Sequence, residues 1–316
     1  MTNSEKRFVD GLNDIREALH PKTRRIYHYT SPSGLLGILA KEGGAKLYFT
    51  QYDSLNDRSE RIHAEKCIKK VCENYLQQKK INREFHDIVL KCLEPQKAMF
   101  THPSSQNPNW VSGKMHEFDT YLCCFSANED SLPMWNYYSK SEHYEGYCIG
   151  FYIDGESKGF LQDYWLNVVK VVYKDSEKYD LIKNLILPIY NQYKKYRKKA
   201  EDYSWLISEL QGGIEDIILA FKDEHFSHEE EIRMILKVPV EYRETGHGNI
   251  SERKHRASSG YIVPYIEYTF EKDAVCEIHV APLLEPEIAK RNVEDLLKQR
   301  KYSHVIVLPS EAPIRY

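Results

Sequence analysis

Three short segments, far apart in the chain, carry side chains with chemistry to offer: His28-Tyr29-Thr30, residues 135–138, and Glu229, Glu231 and Arg233. Across residues 24–30 a strand pattern puts Ile26, His28 and Thr30 on one face, with Tyr27 and Tyr29 on the other. Ser31-Pro32 follows at once, a Ser cap with Pro at the first helical position. His28 therefore stands near a strand's carboxyl end, beside the unpaired N–H groups of a helix start. Such a place can hold the phosphates of a ligand, while the imidazole hydrogen-bonds a ribose hydroxyl. The plainer reading is a structural histidine satisfied at a strand end.

Met134-Trp135-Asn136-Tyr137-Tyr138 sits in a short helical pattern that puts Trp135 and Tyr138 on a shared face. Their rings can stack on a base or a nicotinamide, or they can simply pack the core. In the third segment a strand reading sets Glu229, Glu231 and Arg233 on one face, with Glu230, Ile232 and Met234 on the other. An oriented carboxylate suits a sugar hydroxyl or a developing cation, and Arg233 can fix a carboxylate by a bidentate pair. A solvated edge strand is the bland alternative.

Weaker features surround these. Asn56 and Asp57 suit a turn and helix cap. Arg243, Arg253, Lys254, His255 and Arg256 form a basic loop diluted by Glu241, Glu244 and Glu252; mobile surface is its default reading, and contact of Arg253, Lys254 and Arg256 with a nucleic-acid acceptor is the alternative. Glu156-Ser157-Lys158 matches an E-x-K fragment of Mg²⁺-dependent nucleases. His225, His228 and Glu231 lack a standard metal-ligand spacing. No phosphate-loop, dinucleotide, nucleophile-elbow or zinc-protease signature is present.

The elements that must position these residues read as strands at 24–30, 46–50, 121–126, 146–153, 165–173, 230–238, 261–268, 275–281 and 303–308. Helices are expected at 5–19, 34–41, 131–140 and 285–300, and in two blocks at 57–94 and 176–222. Pro188 and Gly212-Gly213 are expected to interrupt the second block. Polar loops are expected at 95–117 and 242–260. Strands and helices mix without a βαβ rhythm, which predicts an α+β fold. Strand segments flank the block at 176–222, so one domain over residues 1–316 with helical additions is expected.

Composition narrows the function classes. Hydrophobic residues are 41% of 316, enough for a substantial core. The 44 Lys and Arg against 47 Asp and Glu leave a formal charge of −3, so nucleic-acid binding requires a local patch. No apolar run approaches the roughly 20 residues of a membrane span, and the charged N-terminus does not read as a secretory signal. Seven cysteines, an odd number with no C-x-x-C pair, fit the reducing cytoplasm.

The ordered set Tyr27-His28-Tyr29-Thr30-Ser31, Leu35-Leu36-Gly37-Ile38-Leu39 and Leu47-Tyr48-Phe49-Thr50 resembles the opening of an uncharacterised bacterial domain family. Asn56, Asp57 and Glu60 continue the resemblance, as do Cys124-Phe125-Ser126, Met134-Trp135 with Tyr138, and the Gly-x-x-Ile-Gly-Phe run at 146–151. Glu229, Glu231 and Arg233, then Ser310, Pro313 and Arg315, complete it. Arg58 stands where that family usually carries Pro. The opening is similar to the NAD-binding half of ADP-ribosyltransferases of the His-Tyr-Glu class, including their nucleic-acid-modifying toxin branch.

That resemblance implies a split antiparallel sheet with NAD in its cleft. His28 would bind the adenosine-side ribose, and backbone at Tyr29 would hold the nicotinamide amide. Thr30 and Asn56 would join the NAD-binding set, and Trp135 or Tyr138 would stack on nicotinamide. Glu231, preferred over Glu229 for its depth in the strand, would act on the nicotinamide ribose, with Glu229 and Tyr138 beside it. It further implies a toxin or antiviral effector that needs no metal, an RNA, DNA or protein acceptor, and an inhibitory partner or antitoxin. Two other classes compete: a metal-dependent nuclease using Glu156 and Lys158, and a non-catalytic nucleotide-binding module.

Overall fold

The computed structural model describes residues 15–54, 58–94, 99–100, 116–138, 145–153, 166–199, 203–258 and 260–313. Asn56, Glu156, Lys158 and Arg315 lie outside the described residues, as does most of the loop expected at 95–117. The fold is α+β. In chain order the strands are β1 (Arg25–Thr30), β2 (Ala45–Gln51), β3 (Met99–Phe100), β4 (His116–Ser126), β5 (Tyr147–Tyr152) and β6 (Leu166–Lys170). They continue with β7 (Glu231–Pro239), β8 (Lys254–Ser258), β9 (Tyr261–Phe270), β10 (Val275–Val280) and β11 (Ile306–Pro309). Two compact units result: Met1–His20, Asn56–Asp119 and Val171–Phe226 form one, and Pro21–Leu55, Thr120–Lys170 and Ser227–Tyr316 the other.

The first unit gathers both helical blocks, as helices Arg58–Gln77, Arg83–Leu93, Asp175–Lys199 and Ser204–Ala220. Asn82 caps the second of these by accepting from Phe85 N at 2.9 Å. The two expected interruptions do not occur. Pro188 lies inside helix Asp175–Lys199, where it forfeits one backbone hydrogen bond. The buried stripe Leu181, Ile182, Leu185, Ile186 and Ile189 outweighs that loss. Gly212-Gly213 lies inside helix Ser204–Ala220. A Cβ on Gly213 would collide with the Leu185 side chain, so this glycine admits a close helix–helix approach rather than ending a helix.

The same unit holds a small polar cluster around one buried lysine. Lys178, 1% exposed, places Nζ 2.9 Å from His63 Nε2 and 3.4 Å from Asp175 Oδ1. Cys67 Sγ lies 3.8 Å from the same His63 nitrogen. Asp223 Oδ2 is 3.9 Å from His63 Nδ1, and His225 lies against Asp223. Lys178 Nζ donates to the imidazole, and burial followed by Lys178 holds the His63 pKa below its ordinary value. A lowered histidine pKa means the unfolded chain takes up the proton first. The stabilisation is therefore complete above about pH 6.5 and is lost as pH falls below it toward the folded value. His63→Gln keeps an acceptor for Lys178 but cannot titrate. Urea unfolding should show a shallower loss of stability on acidification for that variant than for the parent, and parallel curves would remove His63 from the account.

In the second unit the strand order is β11-β10-β5-β1-β4-β2-β9-β8, with β7 pairing both β4 and β6. β1 pairs β4 and β5, β2 pairs β4 and β9, β5 pairs β10, β6 pairs β7 and β8 pairs β9 antiparallel, whereas β10 and β11 are parallel, so the sheet is mixed. One face and helix Pro286–Gln299 bury Ile26, Phe49, Phe125, Phe151, Phe270 and Val293. Each such side chain contributes about 1.5–3 kcal/mol on burial. The other face buries Tyr27, Tyr29, Met134, Trp135 and Cys148, so β1 alternates as its pattern requires. The loop expected at 242–260 instead contains β8, paired with β9 from Lys254↔Tyr265 to Ser258↔Tyr261. Gly260, at φ +83°, takes the left-handed conformation in the connecting turn.

Among the described residues no helix is long and apolar enough to cross a membrane. All seven cysteines are free. Burial pushes the Cys92 thiol up to about 11 and Cys123 up to about 12, so neither supplies a thiolate near neutrality.

Candidate functional site

The site begins where the sheet divides. β1 and β2 both run antiparallel to β4, and helix Pro32–Ile38 joins them. β1 meets β4 at Tyr27↔Ser126, whereas β2 meets it at Thr50↔Leu122 and Gln51↔Tyr121. The carboxyl end of β1 and the amino end of β2 thus diverge. Between them lies a cleft of about 450 Å³, bordered by His28, Thr30, Ser33, Lys46, Tyr48, Tyr138 and Arg256. That volume is in the range of small-molecule sites.

His28 closes the gap left by the missing strand pairing. Its Nδ1 lies 3.2 Å from the Cys124 carbonyl of β4, and its ring meets Phe125 edge-on at 5.5 Å. A carbonyl accepts only, so Nδ1 carries a proton in this contact. Ser31 caps the following helix by accepting from Gly34 N at 3.1 Å. A Cβ at Gly34 would run into Thr30 Oγ1, which explains the glycine.

Trp135 and Tyr138 separate in role. Trp135 is fully buried on the sheet's other face and does not border the cleft, contrary to the expected stacking platform. Its Nε1 donates to Asp130 Oδ1 at 2.7 Å, and Tyr29 packs edge-on against it at 4.7 Å. The Tyr29 hydroxyl donates to the Asn128 carbonyl and accepts from Ser131 N, each at 2.9 Å. Tyr29 also borders the cleft while its phenol serves this core. Tyr138, at the end of the same helix Leu132–Tyr138, does reach the cleft.

Asp130 organises this helix start. Besides Trp135 it accepts from Ser310 Oγ at 2.5 Å and from Glu311 N at 2.6 Å. Asp130→Ala strands the buried indole N–H and releases residues 310–311. The expected cost is about 1–3 kcal/mol in unfolding experiments, with a red shift of tryptophan emission. Unchanged stability would deny Asp130 this role.

The acidic segment differs from a plain strand. Glu229 ends the 3₁₀ turn Glu224–Glu229, Glu230 takes a left-handed φ of +44°, and β7 begins only at Glu231. The expected common strand face for Glu229 and Glu231 is therefore broken at Glu230, a conformation uncommon for a non-glycine residue. Ser126 Oγ donates to the Glu229 carbonyl at 2.8 Å, and Ala127 N to the Glu230 carbonyl at 2.8 Å. The Glu229 side chain, in a residue 6% exposed, accepts from the Tyr138 hydroxyl at 3.2 Å. Both oxygens of Glu231 are held by Arg233, at 2.8 Å from Nε and 3.0 Å from Nη2, with both residues buried.

The structure therefore brings His28, Tyr29, Thr30 and Tyr138 to one cleft, with Glu229 joined to it through Tyr138. Glu231 is tied into a charge pair. Lys46 and Tyr48 also border the cleft, as does Arg256 of the basic segment expected to contact the acceptor. Arg256 lies 5.9 Å from the ring centres of both Tyr48 and Tyr265 and donates to Thr50 Oγ1 at 3.0 Å. Its Nε is buried without a hydrogen-bond partner among the described residues. Strand periodicity in 254–258 was the available signal, hidden by the charges of an edge strand. Among the described residues no group of three or more His, Cys, Asp or Glu is placed to hold a metal.

A family model described as a protein of unknown function (DUF2971) matches residues 134–234. The match takes in Tyr138, Glu229, Glu231 and Arg233, but ends before Arg256 and begins after His28. No curated protein and no solved structure matches the chain.

Proposed function

We propose that the cleft binds NAD and that the protein transfers ADP-ribose to a macromolecular acceptor, with RNA or DNA the class implied by the family resemblance. The observation that carries this reading is the meeting of His28 and Tyr138 in one cleft, with a buried carboxylate, Glu229, on the Tyr138 hydroxyl. A divided sheet with a histidine at the split is what an ADP-ribosyltransferase-like fold requires. The cations Lys46 and Arg256 suit the diphosphate. His28 Nε2 suits a ribose hydroxyl as acceptor, and the Tyr138 ring suits the nicotinamide face.

In the reaction the bond from nicotinamide nitrogen to ribose carbon breaks, and its electron pair leaves with nicotinamide. Positive charge builds on the ribose, as in glycoside cleavage. A carboxylate opposes that charge by hydrogen-bonding the ribose 2′-hydroxyl. The acceptor then bonds to the ribose carbon and gives up a proton. Glu229 is assigned the carboxylate role, because Glu231 already neutralises Arg233. The role as a toxin or defence effector follows from the resemblance alone.

The test is incubation with labelled NAD and separate pools of RNA, DNA and protein. Nicotinamide release with label transfer to one pool is the expected result. Binding of NAD with no release in any pool would replace the enzyme by a nucleotide-binding module. Neither binding nor release would end the NAD reading.

A further inference from the structure

β2, β9 and β8 present one continuous face beside the cleft. The register pairs Tyr48 with Glu267 and Thr50 with Tyr265, then Tyr265 with Lys254, Val263 with Arg256 and Tyr261 with Ser258. Cross-strand partners point to the same side of a sheet. Lys46, Tyr48, Tyr265, Tyr261, Lys254 and Arg256 therefore share a side, and three of them border the cleft. The opposite side of β2 and β9 carries Leu47, Phe49, Ile266 and Tyr268 and is core.

The chemistry of this face is specific. Its three cations face two carboxylates: Glu267, at 3.2 Å from Lys254 and 3.9 Å from Lys46, and Glu252, at 3.8 Å from Lys254. Arg256 has no carboxylate partner among the described residues. The Tyr48 and Tyr265 rings lie 4.5 Å apart, and Tyr48 and Tyr261 are 46% and 68% exposed. Cations interleaved with accessible aromatics on strands are what unpaired bases and their phosphates need. A duplex hides its base faces, so the rings would gain nothing from it. An acidic peptide would use the cations but not the rings.

We propose that this face binds single-stranded nucleic acid and leads it to the cleft, with bases stacking on Tyr261 and Tyr48 and a phosphate on Lys254. As the acceptor of ADP-ribose the strand rests on the reading above, whereas its binding to the face does not.

The experiment measures anisotropy of labelled single-stranded RNA, single-stranded DNA and duplex DNA across a salt series, without NAD. Nicotinamide release from NAD is measured separately. The variant is Lys254→Ala/Tyr261→Ala, because neither residue borders the cleft. Its Kd for the single strand should rise about tenfold or more, and its salt slope should fall by about one. Nicotinamide release without acceptor should be unchanged. Tyr261→Phe should bind like the parent, since stacking needs the ring and not the hydroxyl. The RNA and DNA arms decide which strand is preferred.

An unchanged Kd in the double variant would overturn the proposal, as would equal affinity for the duplex, or a Tyr261→Phe protein as weak as Tyr261→Ala. Nicotinamide release with no oligonucleotide bound would overturn this proposal and leave the NAD reading standing. Single-strand binding that needs Tyr261, with no action on NAD, would support the face and overturn the NAD reading.

Discussion

Glu229→Gln is expected to slow nicotinamide release from NAD by about 10²- to 10³-fold in a folded protein. The substitution keeps size and keeps an oxygen for the Tyr138 hydroxyl, now 3.2 Å from the carboxylate. It removes the negative charge, which is what opposes the charge building on the ribose. Turnover should therefore fall while affinity for NAD changes little. Tyr138→Phe is the companion: it loses the bond to Glu229 and keeps the ring, so a smaller fall is expected. His28→Ala should instead weaken NAD binding more than it slows the bound complex, because its ribose contact is remote from the breaking bond. Circular dichroism checks folding in each case. A folded Glu229→Gln protein with full activity would remove that carboxylate from the mechanism. Loss in a stable Glu231→Gln protein would then move the role to Glu231.

The parts of this arrangement that were legible in the sequence are those set by local chemistry. The Ser31-Pro32 start marked the helix, and the alternation through Ile26, Tyr27, His28 and Tyr29 marked β1 and its two faces. Alternation alone could not tell which aromatic would be core. Trp135 and Tyr138 share a helix, and what buries Trp135 is Asp130 five residues earlier and Tyr29 on another strand. The shift from Glu231 to Glu229 has a similar cause. A strict two-residue period gave both carboxylates equal standing, but the left-handed Glu230 takes Glu229 out of the strand.

The basic segment at 253–256 has the look of a loop for a different reason. Charged residues are the usual means of blunting an edge strand, so β8 has the composition of a loop. Only its partner, β9, reveals that Arg256 and Lys254 point to the same side as Tyr48. Pro188 and Gly213 were misread because breaker residues are judged by local propensity. Burial of a whole helix face, and a helix close enough to forbid a Cβ, overrides it.

Arg233→Met is expected to cost about 3–5 kcal/mol of stability, the largest loss anticipated for a single change outside the apolar core. Arg233 and Glu231 are both nearly sealed from solvent, with side chains 3% and 6% exposed, and they meet through two hydrogen bonds at 2.8 and 3.0 Å. β7 lies between β4 and β6, with Arg233 opposite Val169, so water has no easy access to either charge. Methionine fills the space but leaves the Glu231 carboxylate buried without its cation. Glu231→Gln alone takes the two-bond carboxylate partner from the guanidinium and should also destabilise. The double variant Glu231→Gln/Arg233→Met buries no net charge and should recover much of the loss, giving a large coupling energy in a double-mutant cycle. Urea unfolding of the four proteins measures it. Single-variant losses below about 1 kcal/mol, the size found for exposed pairs, would show that water reaches this pair. Glu231 would then be free to serve the ribose, and the assignment of the carboxylate role to Glu229 would lose its ground.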